Sequence, residues 1–129
     1  MKALLGMALT AALAAGSAYA DCSYPAPPAK LPDGNTATME EMVAGQKAVK
    51  EYDKAINAYI SCIQLERSDK VKEVSKSGSK PSPEQQKALD DMERMEVQKH
   101  NAAVDQLQSV ADRFNEQVKV YKAKNGDKK

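Results

Sequence analysis

The sequence has no tryptophan, one phenylalanine, one histidine and two cysteines among 129 residues. Each shortage removes a class of chemistry. With His100 as the sole imidazole, in a polar stretch with no serine nearby, the chain has no nucleophile and base pair to offer. Glycine-rich phosphate loops are missing too, and the paired acids Glu40-Glu41 and Asp90-Asp91 read as helix-dipole partners rather than acid-base catalysts. The expectation is a non-enzymatic protein with no cofactor. Charge of either sign is not in excess: 19 basic residues face 18 acidic ones, and removing Lys2 makes the two equal. Without a basic run there is no electrostatic footprint for nucleic acid.

Long apolar runs occur only at the start. Residues 1–20, MKALLGMALTAALAAGSAYA, place Lys2 before an apolar run from Ala3 to Ala15 and end on Ala18-Tyr19-Ala20. That is the layout of a secretory signal peptide cleaved after Ala20, too short in its apolar part for a membrane span. The mature chain is therefore expected in the periplasm or secreted, without a membrane span.

In an oxidising compartment, Cys22 and Cys62 predict an intramolecular disulfide. An intermolecular bridge or a redox-active thiol is the alternative, and no Cys-x-x-Cys spacing supports the second. Residues 21–37 carry Pro25, Pro27, Pro28 and Pro32. Proline fixes φ and extends its predecessor, so this segment reads as an extended arm of polyproline character ending in a turn at Pro32-Asp33-Gly34-Asn35.

Two helix starts follow. Thr38-Met39-Glu40-Glu41 is a capping box, and Ser82-Pro83-Glu84-Gln85 combines an N-cap serine, a proline at the first helical position and a glutamine at the third. They predict helices over about 39–75 and 83–124, joined by the polar linker 76–82, with 125–129 as a disordered tail. In the first helix Met42, Val49, Ile56 and Ile63 recur every seven residues, flanked by a row of Gly45, Tyr52 and Tyr59 and a third of Ala48, Ala55 and Cys62. Leu89, Met92, Ala103, Leu107, Val110, Phe114, Val118 and Tyr121 mark the inner face of the second. Heptad spacing means helix against helix.

A short link forces the pair antiparallel, so positions whose numbers total about 158 face each other. The fold expected is all-α: an antiparallel, coiled-coil-like two-helix hairpin, 38–124, with the proline-rich arm folded back and tied by the disulfide to the first helix. The first helix's apolar arc is wider than one partner needs. Cys62 lies about 36 Å along that helix from Thr38, and sixteen residues of polyproline II reach about 50 Å. The arm can thus run back over Tyr59 and Tyr52, with Pro25 and Pro28 packed on that platform. Near the linker Glu96, Lys99 and His100 interrupt the stripe, so a polar, loosely packed tip is expected.

Metal binding has two sets of candidates. Glu93, Glu96 and His100 share a helical face that Glu66 or Asp69 could approach, but the Glu-x-x-His motif is missing, because Glu96 and Lys99 stand three residues after Glu93 and Glu96. Met39 with Met42 and Met92 with Met95 form thioether pairs of a kind suited to Cu(I). The bland readings, a solvated charged face and adaptable core filling, are preferred for both. Met92, Met95, Val97, Val104 and Val120 are expected to stay partly exposed, as the seam of a homodimer or the contact face for a protein client.

The segment CSYPAPPAKLPDGNTATMEEMVAGQKAVKEYDKAINAYISC, with its cysteine and proline arm, Pro-Asp-Gly turn and Tyr-x-x-Cys helix, resembles small exported proteobacterial helical proteins. The resemblance covers residues 22–62, implies a periplasmic helical protein and brings no activity or site. The function expected is protein contact, as a structural, adaptor or chaperone-like module. The alternative is a periplasmic copper or zinc carrier using the methionine pairs or the Glu96 and His100 patch.

Overall fold

A computed structural model describes residues 22–126. The leader and its cleavage site lie outside the described residues. Two helices make up the core of the molecule: α1, Met39–Ser75, and α2, Pro83–Asn125. Both start where local chemistry dictates. Thr38 Oγ1 accepts the Glu41 amide at 3.2 Å while Glu41 Oε2 accepts the Thr38 amide at 2.7 Å. Ser82 and Gln85 repeat the exchange at 3.1 and 2.9 Å, with Pro83 spending its missing N–H where no helical partner exists. Between the helices Gly78 takes φ +68°, the left-handed conformation that only glycine adopts freely.

The helices form the antiparallel hairpin on the expected register: Gly45 lies against the Phe114 ring, and Arg67 reaches Glu93. Their interface buries Met42, Tyr52, Ile56, Tyr59 and Ile63 of α1 against Ala103, Val110 and Phe114 of α2. Ile56 and Val110 are fully enclosed, which at about 1.5–3 kcal/mol per buried aliphatic side chain makes this pair the centre of the core. Cys22, Val49, Ile60 and Leu107 pack around it. Beyond Ile63 on α1 and before Ala103 on α2 no described residue is buried, and Leu65 lies 61% exposed. The tip is polar and thinly packed, as the interrupted stripe implies.

One boundary differs from the sequence reading. Asn125 belongs to α2 rather than to a disordered tail: its Nδ2 donates to the Tyr121 carbonyl at 2.9 Å, and Gly126 caps the helix with a right-handed φ of −69°. Residues 127–129 lie outside the described residues. Among the described residues no helix is long and apolar enough to cross a membrane.

Candidate functional site

The arm returns along α1 and is clipped to it by a disulfide between Cys22 and Cys62, whose Cα atoms lie 5.8 Å apart. Neither described cysteine is free. One helical turn beyond Cys62, Glu66 Oε1 accepts the Cys22 amide at 3.4 Å, so the end of the arm is held by a covalent bond and a polar contact together.

The tyrosine platform is used, though through a partner the spacing did not single out. Tyr24 meets Tyr59 edge to face, with ring centroids 5.0 Å apart. That arrangement sets the positive ring edge of one on the negative face of the other. Tyr52 is buried, and its hydroxyl reaches no hydrogen-bond partner. Burial, with the neighbouring Tyr24 phenol adding to it, pushes its pKa up to about 12. Pro25 and Pro28 are half-buried along the same course.

At the other end, Pro32 occupies the space over Gly45. A methyl group there would stand 2.6 Å from Pro32 Cδ and 2.9 Å from Phe114 Cε2. The turn that follows is built on Asp33, whose carbonyl accepts the Thr36 and Ala37 amides at 3.1 and 2.7 Å, while its Oδ1 accepts the Asn35 amide at 2.9 Å. The turn docks on α2, not only on α1. Gly34 N–H donates to Gln117 Oε1 at 2.9 Å, the Lys124 ammonium donates to the Asn35 carbonyl, and a Cβ on Gly34 would collide with the Gln117 carbonyl. The arm therefore bridges both helices at the base of the hairpin.

Near the tip, Glu93, Glu96 and His100 do not form a group of three placed closely enough to hold one ion. Arg67 takes the cation position, with Nη2 3.1 Å from Glu93 and Nε 3.6 Å from Glu96. Glu96 Oε2 is buried and accepts no hydrogen bond, so that guanidinium is what offsets its charge. His100 Nδ1 lies 3.3 Å from Asn101 Oδ1 instead. Met92 and Met95 line a crevice of about 90 Å³ with Ile63, Glu66 and Lys99, while Met39 stands exposed at the far end of the hairpin. Asp90 and Asp91 lie two turns into α2, where Gln86 donates to Asp90, and Lys87 and Arg94 to Asp91.

The other surface of interest is apolar. Val97, Val104, Ala111 and Val118 repeat every seven residues along α2. The first two are 52% and 39% exposed, with Met95 beside them at 54%; Ala111, Val118, Met92 and Val120 are half-buried. Among groups able to ligate a metal, the described residues bring together Cys22, Cys62 and Glu66, a set the sequence reading did not contain. The four-residue step from Cys62 to Glu66 was the available signal, since it places both on one helical face.

Comparison with known proteins finds no matching family model, no matching curated protein and no matching solved structure.

Proposed function

We propose that this chain is a non-enzymatic protein of the bacterial periplasm or exterior that works by protein contact, as a structural, adaptor or chaperone-like module. The observation that carries the reading is the heptad row Val97, Val104, Ala111 and Val118, whose leading valines α1 and the arm leave uncovered. A helix normally turns such a row toward another helix. The disulfide and the arm make the hairpin stiff enough to present it, and the resemblance of residues 22–62 to exported helical proteins, the signal-like leader and the paired cysteines agree on an oxidising compartment.

The test compares the chain with a Val97→Asp, Val104→Asp double variant in sedimentation and in suppression of aggregation of an unfolded client. Self-association or client protection that the variant loses, with helical content unchanged, is the expected result. A monomer that protects nothing, or an association indifferent to the two aspartates, overturns the reading.

A further inference from the structure

The disulfide sits in a setting that a purely structural clip does not require. Cys62 and Glu66 project from α1 one turn apart, and the arm brings Cys22 over them. Both sulfurs and a Glu66 carboxylate oxygen lie within 4.8 Å of one another, all three side chains half-buried. In the oxidised chain the two sulfurs are bonded to each other, and reduction frees them to separate around an ion that takes thiolate at about 2.3 Å and carboxylate at about 2.0–2.2 Å.

Glu66 is the informative member. Its partner is the Cys22 amide at 3.4 Å, and no ion pair to it occurs among the described residues. The next acids along the seam, Glu93 and Glu96, are both held by Arg67. A half-buried carboxylate with one amide donor and no cation retains acceptor capacity that the oxidised clip leaves unused. Two thiolates and this carboxylate form a donor set of the borderline-soft kind that selects zinc over calcium or magnesium.

We propose that reduction converts the Cys22–Cys62 clip into a zinc site made of the two thiolates and the Glu66 carboxylate, so that the arm is fastened either by a covalent bond or by an ion. The electrons come from a dithiol reductant. Two electrons and two protons pass to the disulfide, giving two thiols, and the reductant becomes a disulfide. Zinc(II) then displaces both thiol protons, forming two Zn–S bonds and one Zn–O bond with the fourth position open to water. Reoxidation by a disulfide oxidant takes two electrons from the thiolates, re-forms the S–S bond and expels the ion. This site is separate from the valine row and does not depend on the contact reading.

The experiment titrates cobalt(II), as a coloured stand-in for zinc, into the chain kept reduced by a phosphine, and then displaces it with zinc(II). One cobalt per chain is expected, with thiolate-to-cobalt charge-transfer absorption and tetrahedral d–d bands, while the oxidised chain gives neither. Glu66→Gln, checked for an intact helix content, weakens zinc binding tenfold or more, whereas Glu93→Gln leaves it unchanged. Absent charge-transfer absorption, two chains per ion, a Glu66→Gln affinity within twofold of the parent, or an equal loss with Glu93→Gln would each overturn the proposal.

Discussion

Gly45 is the narrowest point of the seam between arm and hairpin. Its missing Cβ is filled from one side by Pro32 and from the other by the Phe114 ring. Gly45→Ala therefore forces the arm or the ring outward, and overpacking of this kind costs about 1–3 kcal/mol, more than the helix propensity that alanine gains. Urea denaturation should show the loss, and an unchanged midpoint would mean that Pro32 yields freely. The sequence placed Gly45 in one row with Tyr52 and Tyr59 but not against a particular proline, because the choice of proline depends on where the turn begins. Tyr52 gives a prediction of opposite character. Its phenol has a folded pKa of about 12, above the unfolded value of about 10. Stability is complete below pH 10 and is lost as pH rises towards 12, because the unfolded chain ionises first. With no hydrogen bond to lose, Tyr52→Phe should leave stability at neutral pH nearly unchanged and reduce the alkaline loss. Denaturation midpoints at about pH 9 and about pH 11.5 read that difference, and equal alkaline losses in both proteins would refute it.

Among the elements, the two helices were legible because their starts are written in four-residue words. Thr38 with Glu41 and Ser82 with Gln85 need no tertiary contact to cap a helix, and both boxes are formed. The arm was legible in its reach and its anchor, since a length argument and cysteine pairing suffice for those. Its docking on α2 was not: Gln117 and Lys124 lie 83 and 89 residues from their partners Gly34 and Asn35, and nothing in their local spacing marks them. Glu66 escaped in the same way, for its role comes from what the returning arm lays over it. The clip closes a loop of sequence separation 40, for which loop-closure entropy gives about 4 kcal/mol. Reduction in the absence of metal, or Cys62→Ser, should lower the thermal midpoint and loosen the arm. Lys30, exposed on the arm, provides the readout: trypsin should cut after it many times faster in the reduced chain, while its cutting in the largely exposed 76–82 linker is unchanged. Equal cutting rates would show that Tyr24, Pro32 and Gln117 hold the arm without the covalent bond.

At the scale of the molecule, stability is distributed unevenly along the hairpin axis. The buried residues fall between Met42 and Ile63 on α1 and between Ala103 and Phe114 on α2, and the arm thickens that same half. The half beyond Ile63 relies on Arg67 with its two glutamates and on exposed pairs such as Lys70 with Glu73 and Lys87 with Asp91. Exposed ion pairs contribute little each, whereas buried apolar contacts set the free energy of local opening. Hydrogen exchange should therefore be at least tenfold faster for backbone amides in 66–75 and 86–98 than in 49–63 and 103–118. Acid should widen the gap. The Lys70 ammonium bonded to Glu73, and Lys87 with Arg94 around Asp91, hold both carboxyls below their ordinary values. A depressed carboxyl contributes stability above its unfolded pKa and loses it as pH falls through the folded one. Both groups belong to the tip, so acidification below about pH 4 removes support there, while the buried residues of the base are apolar. Exchange rates normalised for intrinsic pH dependence should then rise at the tip alone. Uniform protection along both helices, or a rise shared by Ile56 and Val110, would mean that the hairpin opens as one unit.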